Sequence, residues 1–178
     1  MLAGSALRVF RWQCKAHPIF LRSTARRISS TMHISRDRLE DGVTKELKVK
    51  ILLIEDSKFQ RIANERALIK AGYSVINAAD GEEGLRAACE KAPDLILLDM
   101  MLPKVSGLDV LRGLKGDPLV KHIPVIVLSG LGQANEAKLL KEGAAAFFVK
   151  SEKSLENNSS ILIQAVKRVL TEVKSAPV

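Results

Sequence analysis

Side chains suited to phosphate chemistry stand directly after four of five short apolar stretches in this sequence. They are Glu55, Asp56, Asp99, Ser129 and Lys150. Carboxylates that lie together repel one another and raise each other's pKa, unless a hard divalent cation is bound among them. Mg²⁺ prefers oxygen ligands and commonly takes one or two carboxylates together with phosphate oxygens. Because an ammonium and a hydroxyl can neutralise phosphoryl oxygens from other sides, these residue types indicate Mg²⁺-dependent phosphoryl transfer.

These residues can converge only if the apolar stretches are neighbouring strands that run the same way. From Lys48 onward, short apolar runs alternate with longer amphipathic segments, which is typical of βα repeats around a parallel sheet. The runs predict strands near 49–54, 73–77, 94–98, 124–128 and 146–149. The other segments predict helices near 57–70, 81–91, 107–116, 133–142 and 159–173. Right-handed crossovers then give an α/β doubly wound sheet, in which functional groups collect beyond the carboxyl ends of the strands.

The first repeat carries the clearest signals for where a helix begins and ends. Ser57 followed by Gln60 has the pattern of a capping box at a helix N-terminus. Gly72 follows the last helical residues and suits the left-handed conformation that ends many helices. Gly143 is the corresponding stop predicted for the fourth helix.

The net charge of +8 is concentrated at one end of the chain. Residues 1–36 contain seven of the 28 lysines and arginines and no acid, which leaves 21 basic against 20 acidic residues from Asp37 onward. The predicted globular part is therefore nearly neutral and lacks the basic footprint of a nucleic-acid-binding domain. We expect a tail or linker at 1–47, one domain at 48–174 and a short C-terminal tail at 175–178.

Three interpretations of the tail stay open. Translation from Met32 would make residues 1–31 an artefact of the assigned start. A disordered tail is the second interpretation. A mitochondrial or plastid address is the third, because Arg8, Arg11 and Lys15 would share one face of a helix. A secretory signal is not supported, because the same arginines interrupt its only candidate apolar core.

Several functional classes lack their sequence signals. No apolar run approaches the roughly 18 to 20 residues that cross a bilayer. The two cysteines form no CxxC pair, so neither a disulfide framework nor a cysteine-based zinc site is supported, and no glycine-rich loop of the GxxxxGK or GxGxxG type is present for a nucleotide. We expect a cytoplasmic protein without a membrane span.

Residues 48–173 resemble the receiver domain of two-component response regulators. The resemblance rests on four motifs in matching order and intervals: Leu-Ile-Glu-Asp-Ser at 53–57, Leu-Leu-Asp-Met-Met-Leu-Pro-Lys-Val-Ser-Gly at 97–107, Val-Leu-Ser-Gly at 127–130 and Gly-Ala-Ala-Ala-Phe-Phe-Val-Lys at 143–150. It implies a flavodoxin-like five-stranded parallel sheet in the order 2-1-3-4-5. Because the predicted elements use nearly all of the chain after Lys48, we expect a stand-alone regulator.

The resemblance also implies roles for individual residues. Asp99 would accept a phosphoryl group from a phosphohistidine of a sensor histidine kinase or phosphotransfer protein. Mg²⁺ would be held by Glu55, Asp56, Asp99 and the backbone carbonyl of Met101. Lys150 and Ser129 would act on the phosphoryl oxygens. The domain would catalyse only its own phosphorylation and dephosphorylation, so we do not expect an enzyme acting on other substrates.

A switch is implied as well. Ser129 would move toward the phosphoryl group while Phe147 changes rotamer. The surface formed by the fourth helix, fifth strand and fifth helix would then bind a downstream protein. We expect no direct contact with nucleic acid.

Three residues depart from the family pattern. Ser151 stands where proline usually follows the lysine, and a cis bond before a residue other than proline costs about 3–4 kcal/mol. Gly130 replaces the common alanine, and Phe147 replaces the frequent tyrosine. None of these departures removes the phosphorylation chemistry.

Two alternative functions stay open. The first is a receiver-like binding scaffold that is not phosphorylated, which only Ser151 favours. The second is a Mg²⁺ phosphohydrolase with an aspartate nucleophile, although such enzymes commonly carry a second acid at the position that Met101 occupies here.

Overall fold

The computed structural model describes residues 48–130, 136–150 and 155–175. Five strands alternate with five helices along these residues. The strands are β1 (Lys50–Ile54), β2 (Ser74–Ala78), β3 (Leu95–Asp99), β4 (Val125–Ser129) and β5 (Ala146–Val149). The helices are α1 (Lys58–Lys70), α2 (Gly81–Lys91), α3 (Gly107–Gly116), α4 (Glu136–Lys141) and α5 (Leu155–Ser175).

The strands form one parallel sheet in the order β2-β1-β3-β4-β5, as predicted. Strand order reverses between β1 and β3, because β2 lies on one side of β1 and the later strands lie on the other. The carboxyl ends of β1 and β3 therefore meet beside this switch point, where doubly wound sheets bind their ligands.

Two apolar layers cover the two faces of the sheet. Leu52 and Ile54 point into a core with α2, α3 and α4, whereas Ile51 and Leu53 point into a core with α1 and α5. All four side chains are fully buried, because a parallel strand in the middle of such a sheet is packed on both faces. This explains why the strands are continuous apolar runs rather than alternating ones.

The predicted helix boundaries hold closely for the first three helices. The backbone N–H of Gln60 donates to Ser57 Oγ at 3.4 Å, so Ser57 caps α1. Gly72 has φ of +94° and Gly143 has φ of +98°, which confirms both predicted left-handed stops. Helices α2 and α3 span the predicted residues.

The last helix differs from its prediction. It begins at Leu155, four residues earlier than expected, and ends at Ser175. Its first turn contains Glu156, Asn157 and Asn158, and this polar stretch has no apolar periodicity to signal a helix.

Some sequence predictions fall outside the described residues. These are the tail at 1–47, the C-terminal tail at 175–178 beyond Ser175, the first part of the predicted helix at 133–142, and the peptide bond between Lys150 and Ser151. Within the described ranges, no helix combines the length and apolar character needed to cross a membrane.

Candidate functional site: an acidic cluster at the carboxyl edge of the sheet

Glu55 and Asp99 lie side by side because of the strand register. Ile54 pairs with Leu98, so the next residue of each strand reaches the same edge of the sheet. The backbone N–H of Glu55 donates to the carbonyl of Ala78 at 3.1 Å, which fixes Glu55 at the end of β1. Glu55 is fully buried and Asp99 is 3% exposed.

Lys150 joins these two carboxylates. Its Nζ lies 2.7 Å from Asp99 Oδ2 and 2.8 Å from Glu55 Oε2. The backbone N–H of Lys150 donates to the carbonyl of Ser129 at 2.8 Å, so the end of β5 is held against the end of β4. A single ammonium therefore neutralises part of the negative charge of two buried acids.

Three acids are close enough to share one cation. Carboxylate oxygens of Glu55, Asp56 and Asp99 lie within 4.8 Å of one another. Glu55 Oε1 is buried and has no hydrogen-bond partner in the part of the chain that the structure describes. A buried carboxylate oxygen without a partner is costly, and an all-oxygen donor set suits Mg²⁺. The residues present therefore fit a magnesium site.

The protonation of Glu55 reflects its surroundings. Burial raises the pKa of Glu55 to about 7, although the hydrogen bond from Lys150 acts in the opposite direction. The neighbouring charge of Asp99 raises the pKa further. A bound divalent cation would favour the ionised carboxylate, which is the form needed for coordination.

The loop after β3 holds the other oxygen of Asp99. The backbone N–H of Met101 donates to Asp99 Oδ1 at 3.1 Å. Gly107 closes this loop, because its N–H donates to the carbonyl of Met100 at 3.4 Å. A Cβ atom at Gly107 would lie 2.5 Å from the carbonyl oxygen of Asp99, so any other residue would force the backbone of the loop to move.

Ser129 lies on β4 and Phe147 on β5, the two strands that follow β3 in the sheet. Ser129 ends β4 and is 2% exposed, and it pairs in register with Val149 of β5. Phe147 is partly buried and packs against the core that includes Leu139 of α4. Ser129 thus stands at the edge that carries Asp99, whereas Phe147 lies three residues before Lys150 on the α4 side.

Two features of the site were not predicted from the sequence. Arg61 Nη1 donates to the carbonyl of Glu55 at 2.7 Å and to that of Asp56 at 3.2 Å. Nothing in the residue types signals this contact, because it is made to backbone atoms. The close approach of Gly107 to Asp99 is the second feature, and the only sequence signal for it is the glycine that ends the motif at 97–107.

The fold and site define a doubly wound α/β protein with an acidic, lysine-bridged cluster at its carboxyl edge. The family model of the response regulator receiver domain matches residues 51–161. The chain therefore belongs to the response regulator receiver family.

Similar proteins agree with this assignment. A gliding motility regulatory protein of Myxococcus xanthus is 41% identical over 124 residues, which are 68% of this chain. This chain spans 15% of the length of that relative. Chemotaxis response regulator CheY4 of Vibrio cholerae has 27% identity and a TM-score of 0.62 over 68% of this chain and 98% of its own.

A second solved structure is the receiver domain of sensor histidine kinase PA1611 from Pseudomonas aeruginosa, which holds a magnesium ion in its active site cleft. It has 27% identity and a TM-score of 0.60 over 70% of this chain and 98% of its own. Receiver domains bind Mg²⁺ at an acidic site, interact with histidine kinases or phosphotransfer proteins, and are generally signalling domains without catalysis on other substrates.

Proposed function

We propose that Asp99 is the phosphoacceptor of a two-component phosphorelay and that its phosphorylation depends on Mg²⁺. The observation that carries this proposal is the bridge from Lys150 Nζ to Asp99 at 2.7 Å and to Glu55 at 2.8 Å. The ammonium contacts the Asp99 carboxylate directly, so it would be close to the oxygens of a phosphoryl group bound there. An acid that serves only as a helix cap or a loop residue needs no such arrangement.

The transfer is a displacement at phosphorus. A carboxylate oxygen of Asp99 forms a bond to phosphorus while the bond from phosphorus to the imidazole nitrogen of the donor histidine breaks. The electron pair of the broken bond stays on the imidazole nitrogen, and the product is an aspartyl phosphate. In the second half of the cycle, the oxygen of a water molecule forms a bond to phosphorus while the bond from phosphorus to the Asp99 oxygen breaks. The electron pair of that bond returns to the carboxylate, and inorganic phosphate leaves with the oxygen of the water, whose protons pass to the phosphate and the solvent.

Glu55, Asp56, Asp99 and the backbone carbonyl of Met101 would hold the magnesium ion. The ion supplies positive charge that offsets the charge of the carboxylates and of the phosphoryl oxygens. The protein groups keep the acids in place before transfer. The Met101 N–H anchors Asp99 through Oδ1, and Lys150 anchors it through Oδ2.

Lys150 and Ser129 complete the charge balance. When Asp99 becomes an acyl phosphate, the carboxylate loses its charge and the phosphoryl group brings its own negative oxygens, which the Lys150 ammonium can reach by a small change of its side-chain torsions. The Ser129 hydroxyl would donate to a phosphoryl oxygen from the neighbouring strand. Its position at the end of β4, buried beside the acids, supports this role.

The output would be a change in protein contacts. Ser129 and Phe147 are joined by the pairing of β4 with β5, so movement of the hydroxyl would alter the packing of Phe147 beside α4. Exposed apolar side chains support a binding surface there. Leu140 of α4, Val149 of β5 and Ile161 of α5 are 42%, 38% and 52% exposed. A downstream protein would bind this surface in one state of Asp99.

Incubation with a small-molecule phosphodonor tests the proposal. We expect one phosphate per protein in the presence of Mg²⁺ and none with a chelator, measured by intact-protein mass spectrometry. Asp99→Asn should remove the signal, whereas Asp109→Asn, an exposed acid on α3, should keep it. Release of many phosphates per protein from free phosphoesters would instead support the phosphohydrolase. An unmodified wild-type protein would support the scaffold.

A further inference from the structure

Arg61 links α1 to the loop that carries two of the three acids. Its side chain extends from the first turns of α1 and donates from one nitrogen to two consecutive carbonyls, those of Glu55 and Asp56. The backbone N–H of Arg61 is itself bonded to the carbonyl of Ser57 at 2.8 Å. The guanidinium is therefore held by the helix at one end and by the loop at the other.

Asp56 is the acid that most needs such support. It is exposed, whereas Glu55 and Asp99 are buried and both contact Lys150. In the described ranges, no hydrogen bond or ion pair restrains the Asp56 carboxylate. Its direction must then be set by the backbone that precedes and follows its Cα atom.

The two carbonyls that Arg61 holds lie on either side of that Cα atom. The carbonyl of Glu55 belongs to the peptide unit before Asp56, and the carbonyl of Asp56 belongs to the unit after it. Fixing both peptide planes fixes φ and ψ of Asp56, and with them the direction of its Cα–Cβ bond. Ordering the backbone of a residue costs conformational entropy, so a loop ordered beforehand would bind a cation more tightly than a mobile one.

We propose that Arg61 is a positioning residue that aims Asp56 at the divalent cation. This inference rests on the proposed function, because it assumes that the acidic cluster binds Mg²⁺. Arginine suits the task better than lysine, because its planar guanidinium is rigid and donates in fixed directions, whereas an ammonium is a compact charge on a flexible stem.

Electrostatics alone makes the opposite prediction. The positive charge of Arg61 lies next to the loop that would bind Mg²⁺, and like charges repel. If charge were its only effect on the site, removing the guanidinium would tighten Mg²⁺ binding. Positioning predicts weaker binding, so the sign of the change separates the two effects.

The test measures Mg²⁺ binding by the full chain, with isothermal titration calorimetry and with amide chemical shifts as the two readouts. We expect Arg61→Ala to raise the dissociation constant about tenfold, as loss of an outer-shell partner typically does. The dissociation constant of Arg61→Lys should lie between those of Arg61→Ala and the wild type. Arg66→Ala removes an exposed arginine from the same helix and should leave the constant within about twofold.

A second measurement does not depend on the metal. In the presence of a chelator, hydrogen exchange should accelerate in Arg61→Ala and not in Arg66→Ala at the amides of residues 55 and 61, which flank the loop and donate to the carbonyls of Ala78 and Ser57. Loss of global stability would accelerate exchange throughout the domain, whereas loss of positioning acts on the loop. Arg61→Gln serves the same purpose if Arg61→Ala does not fold.

The outcomes separate this inference from the proposed function. If Arg61→Ala and Arg61→Gln bind Mg²⁺ as tightly as the wild type, or more tightly, Arg61 does not position the loop, although the site still binds the ion. If the wild type binds no Mg²⁺, the proposed function fails and the role of Arg61 fails with it.

Discussion

Glu55 is a carboxylate in a position that is unfavourable for its ionised form. Burial is the largest cause of its pKa of about 7, and the charge of Asp99 adds to it. The hydrogen bond from Lys150 offsets only part of this effect. We interpret this as a site arranged for a cation rather than for maximum stability without one.

The pKa of Glu55 predicts how stability without metal depends on pH. Between its ordinary pKa of 4.5 and about 7, the unfolded chain releases the proton while the folded protein keeps it, so stability falls as pH rises. Above about pH 7 the full cost is present, roughly 3 kcal/mol. With a chelator, Glu55→Gln should be more stable than the wild type by about 1–3 kcal/mol at pH 8 and nearly equal at pH 5.

Urea unfolding at a series of pH values measures this difference, with Glu82→Gln as an exposed control on α2. Addition of Mg²⁺ should reverse the order at pH 8, because the ion stabilises only the carboxylate. If the difference in unfolding free energy between Glu55→Gln and the wild type is the same at pH 5 and pH 8, the pKa of Glu55 is not raised in the folded protein.

The charge of Lys150 faces two buried acids, so its removal should destabilise the fold. Lys150→Met removes the charge that faces two buried acids while keeping most of the side-chain volume. We expect a loss of about 2–3 kcal/mol of unfolding free energy at pH 8 without Mg²⁺, because breaking a buried ion pair leaves a charge uncompensated. Lys141→Met, an exposed lysine of α4, should change stability by less than about 0.5 kcal/mol. Equal effects would show that Lys150 is an ordinary surface lysine.

The loop between β3 and α3 shows how a backbone element places the acid. Gly107 is the first residue of α3 and lies against the backbone of Asp99 and Met100. An alanine Cβ would lie 2.5 Å from the Asp99 carbonyl oxygen and 2.6 Å from Met100 Cα. Backbone atoms at that distance cannot be relieved by rotating a side chain, so the loop itself must move.

We therefore expect Gly107→Ala to lower the unfolding free energy by about 2 kcal/mol or more and to weaken Mg²⁺ binding. Gly116→Ala is the matched control, because Gly116 ends the same helix and a Cβ there meets nothing within 4 Å. That change should be neutral or stabilising by up to about 1 kcal/mol. Unfolding curves and calorimetry measure both quantities, and similar behaviour of the two variants would contradict the close approach.

The bounds of helices and strands were predictable wherever the sequence carries a local signal. The strands were predictable because each is an apolar run, and α1 was predictable because Ser57 and Gly72 mark its ends. Strands β2, β3 and β4 lie one residue later than predicted, since an apolar run does not reveal which polar flanking residue still pairs. The polar first turn of α5 had no signal of its own.

The pairing of β4 with β5 joins the acidic cluster to the proposed binding surface on α4, β5 and α5. Ser129 ends the strand that pairs with β5, and its partner in the register, Val149, is exposed on that surface. A signal from Asp99 on β3 would therefore pass to β4 and then to β5 to reach it. Such coupling requires two arrangements of the same packed elements, which phosphorylation would bias.

Ser129→Ala tests this path. Asp99 should still be phosphorylated, but the amide chemical-shift changes that phosphorylation causes in α4, β5 and α5 should fall by at least half, because the donor hydroxyl is lost. Ser74→Ala, at the opposite end of the outer strand β2, should leave those changes intact. If phosphorylation causes chemical-shift changes in Ser129→Ala as large as those in the wild type, the hydroxyl is not the link.

The convergence of the acids and Lys150 was predictable because these side chains stand at strand ends. Glu55, Asp99 and Lys150 follow apolar runs, and a parallel sheet brings such positions together. Contacts to the backbone could not be predicted in this way. The bonds from Arg61 to two carbonyls and the approach of Gly107 to Asp99 depend on the path of a loop, which residue types do not encode in any simple pattern.

The most direct test of the account locates the phosphate. After phosphorylation with Mg²⁺ and a small phosphodonor, borohydride reduction converts an aspartyl phosphate to homoserine, and peptide mass spectrometry identifies the modified position. We expect homoserine at position 99 alone, with none when the ion is chelated. Modification of another aspartate, or no modification while the protein is folded and Mg²⁺ is bound, would contradict it.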